Sequence, residues 1–191
     1  MPGSDVCCSI DGIPGHLHQK GREPVDTLHE DDRLFLWHSA FVAGERYSGT
    51  IPGFRKEVGS QSCNSELLNP EGDPGDVTYD TRKGGAKMPN LQVACIPLAE
   101  LKQVVVPHRD FIRLDPETNK PLEPKEFKNL HLTVRHDPTP CMYPHCEIKV
   151  LLDGAEKKEV PRSLRADFIT QLATIAEQNR LEMEPYSTRC H

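Results

Sequence analysis

The densest run of chemically capable side chains lies between residues 131 and 149. Asp137, Cys141, His145 and Cys146 fall within ten residues, with His131 and His136 beside them. Cys141-x3-His145 is a spacing compatible with tetrahedral zinc, whose usual ligands are thiolate sulfur and imidazole nitrogen. These four residues are the candidate metal ligands. A second ligand pair has to come from elsewhere, for instance His16-x-His18. The strongest zinc signature, Cys-x-x-Cys, does not occur.

A second chemistry overlaps the first. Asp137 followed by Glu147-x-Lys149 resembles the acidic-then-acidic-x-Lys pattern of restriction-type nucleases. There, two carboxylates hold Mg²⁺ and the lysine polarises the attacking water. The residues before Glu147, MYPHC, are not the apolar strand such a site expects. HLTV at 131–134 resembles one half of a two-motif His-x-Thr phosphoesterase, but no second copy exists. The candidate catalytic residues are thus His131, Asp137, Glu147 and Lys149, and the cofactor they imply is a divalent metal, zinc or magnesium. No motif for an organic cofactor is found.

The plain alternative needs no chemistry. In Leu130 to Arg135, Leu130, Leu132 and Val134 face one way and His131, Thr133 and Arg135 the other. Cys146, Ile148, Val150 and Leu152 repeat the alternation against Glu147 and Lys149. Any half-exposed antiparallel sheet shows this pattern. Free cysteines are commonly small buried hydrophobes, and Trp37 suits the core or an interface anchor. On that basis a non-catalytic cytosolic binding or accessory protein, acting on a protein partner through its long loop region, is the first expectation. A metal-assisted phosphoester hydrolase or nuclease using the 131–149 cluster is the second.

The elements that must position these residues are of uneven clarity. Residues 1–26 read as an irregular arm punctuated by Gly12, Pro14, Gly15, Gly21 and Pro24. Thr27 and Glu30 form a capping box, and Leu34, Phe35, His38, Phe41 and Val42 share a helical face, predicting a helix over 28–43. RLFLWH also suits a strand. Residues 44–90 are rich in Gly, Pro, Ser, Asn and Asp, predicting a loop-rich, weakly stable excursion with short strands at Tyr47–Ile51 and Val77–Thr81. LQVACI (91–96), VVV (104–106), FIRL (111–114), 130–135 and 146–152 read as strands, with a helical turn from Pro97 to Gln103. Asp153-Gly154 is a hairpin turn leading to an edge strand, Glu156–Val160. A helix follows from Pro161 to Asn179, with Leu164, Phe168, Leu172 and Ile175 on one stripe. The predicted fold is α+β: a mainly antiparallel sheet backed by a C-terminal helix, with an irregular Gly/Pro-rich N-terminal half. The arm 1–26 precedes a single domain, 27–191.

Composition narrows the function classes. Leu, Ile, Val and Phe are 44 of 191 residues, enough for one modest core. Net charge is −6, and residues 1–90 carry nine Lys/Arg against fourteen Asp/Glu. Nucleic-acid binders draw affinity from a basic excess. Here the best patch (Lys149, Lys157, Lys158, Arg162, Arg165) is diluted by Asp153, Glu156 and Glu159, so nucleic acid is disfavoured. No run of 18 apolar residues and no leader are visible in the sequence, which predicts no membrane association. Seven cysteines, an odd number, predict reduced thiols in the cytoplasm and seven free groups on titration.

Overall fold

A computed structural model describes residues 7–39, 60–88, 91–108, 117–118, 128–157, 160 and 162–179. Its centre is an antiparallel sheet of β1 (Arg33–Ser39), β2 (Ser60–Ser65), β3 (Leu91–Pro97), β4 (Val105–His108), β5 (Lys128–His136), β6 (His145–Leu152) and β7 (Ala155–Glu156). The order is β3-β1-β2-β6-β5-β4, with β7 added to β6. A four-residue helix, α1 (Leu98–Leu101), follows β3, and α2 (Arg162–Gln178) covers one face.

Alternation sorts the side chains of β1, β3, β5 and β6. Leu34 and Leu36 of β1, Ala94 and Ile96 of β3, Leu130 and Leu132 of β5, and Ile148 and Val150 of β6 are buried in one cluster. Leu164, Phe168, Leu172, Ala173 and Ala176 of α2 complete it. The α2 stripe anticipated from sequence is therefore the face that docks. Gln171 Nε2 donates to the Val105 carbonyl at 3.1 Å, and the Asn179 side chain caps the helix end by donating to the Ile175 carbonyl and also reaches the Glu100 carboxylate. The β6–β7 hairpin turns at Asp153-Gly154, both at positive φ (52° and 80°), as a type I′ turn requires.

Several expectations are corrected. The helix expected over 28–43 is not found among its described residues, 28–39: 33–39 is β1, because Leu34 and Leu36 face α2 while Phe35 joins a second cluster with Val93 and Cys95 on the opposite face. Period-two burial between two neighbouring strands overrides the helical spacing. Residues 60–65, expected within a loop, form β2 between β1 and β6, and Gln61, Cys63, Asn64 and Ser65 are buried. The N-terminal half thus supplies two strands. Val77–Thr81 is not a strand. Pro74–Thr78 is a 3₁₀ helix with an Asp73/Asp76 capping box, and Tyr79 bridges Lys87. Among the described residues the edge strand after the hairpin is Ala155–Glu156. Tyr47–Ile51 and FIRL (111–114) lie outside the described residues.

The arm is irregular but not loose. Its 3₁₀ turn, Gly15–Leu17, buries Leu17, and Ile13 is 3 % exposed. Backbone meets backbone where Gly12 crosses Gly84-Gly85: a Cβ on Gly12 would sit 2.4 Å from the Gly84 carbonyl oxygen.

Leu172 is fully buried against the sheet. Leu172→Ala is expected to cost about 2–5 kcal/mol through lost transfer energy and the cavity left behind. Urea denaturation checks this; a loss below about 0.5 kcal/mol would contradict the docking of α2.

Candidate functional site

Three segments far apart in sequence converge at one end of the sheet, on the face away from α2: the arm, the loop 66–88 and the loop 137–145. The β5–β6 register places Arg135 opposite Glu147 and Thr133 opposite Lys149. The β2–β6 register adds Ser60 opposite Lys149, Ser62 opposite Glu147 and Asn64 opposite His145. The polar face read from the sequence is therefore real, and β2 extends it.

Its members divide into two groups. Glu147 and Lys149 form an ion pair at 2.5 Å with both side chains largely covered, and Ser60 Oγ donates to the Glu147 carboxylate at 3.3 Å. Glu147 is 8 % exposed, which corrects the expectation that it lies on an open surface. His131 is exposed at the far end of β5, and Asp137 is exposed in the loop beyond it. Asp137 contributes its backbone rather than its carboxylate: its carbonyl accepts from His145 Nδ1 at 2.7 Å. Since a carbonyl can only accept, His145 donates through Nδ1–H.

The four candidate metal ligands do not assemble. Cys146 alternates to the opposite face, fully buried, where burial pushes its thiol up to about 12. Cys141 is bonded to Cys8, with a Cα–Cα separation of 4.6 Å, so it presents no thiolate. Among the described residues no three His, Cys, Asp or Glu side chains are grouped to hold a metal ion. His16 and His18 are likewise engaged: His16 Nε2 bonds buried Asp76 at 2.9 Å and His18 Nε2 bonds the Ile13 carbonyl at 3.0 Å. The disulfide also corrects the expectation of seven free thiols.

The loop 137–145 is anchored by hydrogen bonds on both sides of its tip. Thr139 and Met142 exchange backbone hydrogen bonds across a tight turn with Pro140 and Cys141 at its tip, the position at which proline's fixed φ is pre-set. Tyr143 is its anchor. Its N–H donates to the Leu17 carbonyl at 2.7 Å, its hydroxyl to the Glu23 carbonyl at 2.9 Å, and the Arg22 guanidinium lies 4.0 Å from its ring centre. Buried His136 adds a fixed tautomer: Nδ1 accepts from Val25 N–H at 2.9 Å and Nε2 donates to the Tyr143 carbonyl at 2.6 Å. Sequence singled out His136 only as a neighbour of the metal candidates; its role is to tie arm to loop.

Between these loops and the sheet lies a cleft of about 200 Å³. Trp37, Ser62 and Asn64 come from β1 and β2, Tyr79, Asp80 and Arg82 from the 66–88 loop, and Met142 and His145 from the 137–145 loop. Asn64 Nδ2 donates to Met142 Sδ at 3.5 Å, bridging floor and wall. Asp80 caps the next turn by accepting from Arg82 N–H at 2.9 Å, the largest cause holding its carboxyl below the usual range, and Arg82 Nε lies 3.4 Å from it. Of these residues the sequence flagged only His145 as a site candidate. Trp37 lies on β1 and was read from sequence as a core or interface residue; the rest come from turns and from a polar strand without periodicity, so no local signal marked them. A larger, open hollow of about 490 Å³ beside the arm is bordered by His16, His18, Lys20 and Arg22. Arg22 there is spent on the His16 and His18 carbonyls.

Two outcomes follow. Burial pushes the His136 imidazole below its usual range, reinforced by His145 and opposed by the hydrogen bond to Tyr143. The unfolded chain therefore takes up the proton first, so stability is full above about pH 6.5 and falls as pH drops through the folded value. Unfolding midpoints measured from pH 7.5 to 5 should show this slope, and His136→Gln should flatten it. Separately, Glu147→Ala leaves covered Lys149 without its carboxylate and is expected to cost about 1–3 kcal/mol, against less than about 0.5 kcal/mol for exposed Asp137→Ala; equal losses in denaturant titrations would refute the difference.

Set against known protein families, characterised proteins and solved structures, the chain matches none, and its site is read from its own geometry.

Proposed function

We propose that this protein is a non-catalytic binding module that engages a protein partner by seating one partner side chain in the Trp37–His145 cleft. The observation that carries this reading is the make-up of the cleft. At about 200 Å³ it is smaller than the clefts that enclose drug-sized molecules, roughly 300–1,000 Å³. Its walls are indole, phenol and thioether, the surfaces on which interface anchors concentrate their energy. The carboxylate among its described lining residues, Asp80, is balanced by Arg82. Asn64 and His145 supply directional polar groups at the floor. The 66–88 loop forms one wall, in keeping with binding through the loop-rich region.

The metal-assisted hydrolase reading has less support, since Glu147 is engaged by Lys149 and Ser60. An acidic chain with net charge −6 also gives little support to nucleic acid as partner. A cytoplasmic setting belongs to the same proposal, supported by the free Cys7, Cys63, Cys95 and Cys146. No helix among the described residues is long and apolar enough to cross a membrane.

Panning a displayed peptide library against the full chain tests the reading. Enriched peptides should share one anchor residue, and Trp37→Ala should weaken them by at least about tenfold. His131→Ala, remote from the cleft, should leave them unchanged. Failure to enrich any peptide, or binding indifferent to Trp37→Ala, would overturn it.

A further inference from the structure

The Cys8–Cys141 bond joins positions 133 residues apart, and its surroundings set it apart from the main core. It lies in a satellite cluster of Ile13, Leu17, Cys141 and Met142, with Cys8, Ile10 and Tyr79 packed against it. Met142 and Tyr79 belong to that cluster and also line the cleft. The bond is therefore one residue removed from a cleft wall. The remainder of the arm has its own anchors: Leu17, Gln19, Glu23 and Val25 are all hydrogen-bonded to the 136–143 segment. Opening the disulfide leaves those intact and removes the covalent tie between residues 8–13 and the tip of the Thr139–Met142 turn, where Met142 is then held by the turn's own backbone bonds and by Asn64.

Among the described cysteines, accessibility singles out the same place. Cys63, Cys95 and Cys146 are buried among apolar side chains, and burial raises each thiol, which makes them poor nucleophiles. Cys8 is half-buried, and exposed Cys7 carries a free thiol beside it.

We infer that the Cys8–Cys141 disulfide is a redox latch on the cleft: closed, it holds Met142 and the Thr139–Met142 turn in place, and reduced, it lets that wall move. The latch regulates the site proposed above and so rests on that reading for its purpose. A dithiol reductant supplies the opening step. Its thiolate attacks one sulfur, the Cys8–Cys141 bond breaks, and the second reductant thiol resolves the mixed disulfide. The reductant gives up two electrons and two protons and becomes a disulfide, while Cys8 and Cys141 end as thiols. Closure is the reverse, with a small-molecule disulfide as oxidant.

Trp37, the chain's single tryptophan, lines the cleft and reports on it directly. The full chain is treated with glutathione disulfide or dithiothreitol, its thiols are counted, and acrylamide quenching of Trp37 is measured with far-UV circular dichroism. The oxidised chain should show at most five thiols. Reduction should raise the quenching constant about twofold or more with unchanged circular dichroism, and reoxidation should restore it. The Cys7→Ser/Cys8→Ser variant, in which Cys7 cannot substitute, should show the higher value under both conditions. Seven thiols after oxidation, identical quenching in the two states, or loss of circular dichroism on reduction would each overturn the latch; the last would make the bond a structural staple. Peptide binding in both states separates the two proposals: binding equal in both redox states sinks the latch alone, whereas no binding in either sinks the binding reading while the quenching result still decides the latch.

Discussion

A six-residue polar strand holds this sheet together. Ser60–Ser65 lies between β1 and β6, so it joins the β3–β1 pair to the β6–β5–β4 layer. Without it β3 and β1 would be a two-stranded ribbon, which is marginal in water. Buried backbone amides must find partners, and here Ser60–Asn64 find them on β6 and Asn64–Ser65 on β1. The side chains are satisfied too. Ser65 Oγ donates at 2.6 Å to Asp32, a carboxylate only 1 % exposed, which also accepts from Leu67 N–H at 3.1 Å. Cys63 Sγ donates to the Cys146 carbonyl. Buried polar groups with full hydrogen bonding specify one arrangement, whereas the same groups unpaired would each be costly.

The cleft inherits its floor from that strand. Ser62 and Asn64 alternate away from α2, so the register that buries Cys63 against the core also presents these two side chains to the opposite face. One residue of slip would exchange the two sets. The walls are then supplied by loops that the floor alone could not hold. Asp76 gathers one of them, accepting from His16, Asn69 and the Asp73 amide. Tyr143 and His136 gather the other onto the arm.

This division gives the molecule two tiers of stability. The sheet and α2 share one large cluster, while the arm and the 139–142 turn share a small one that includes the disulfide. Segments with few apolar contacts open at lower free energy than a core. The cleft lies across the boundary, its floor on the larger tier and one wall on the smaller one.

What was legible in the sequence follows from range. Strands 130–135 and 146–152, the Asp153-Gly154 turn and the α2 stripe at Leu164, Phe168, Leu172 and Ile175 each carry their signal within a few residues, as alternation, turn chemistry or helical spacing. Because two adjacent strands were legible, the shared face of Thr133, Arg135, Glu147 and Lys149 was legible as well. β1 was ambiguous because Leu34, Phe35 and His38 sit at helical spacing while RLFLWH also suits a strand, and only its neighbours β3 and β2 select the extended form. β2 gave no signal: SQSCNS has no apolar alternation, and its burial is sustained by Asp32, β6 and β1 rather than by its own hydrophobicity. The Cys8–Cys141 pairing, the depth of Glu147 and the meeting of Trp37, Asn64, Tyr79, Asp80 and His145 are contacts between segments tens of residues apart. No local pattern encodes such contacts, so the tertiary structure alone decided them, through the pairing of β2 and the docking of three loops on one end of the sheet.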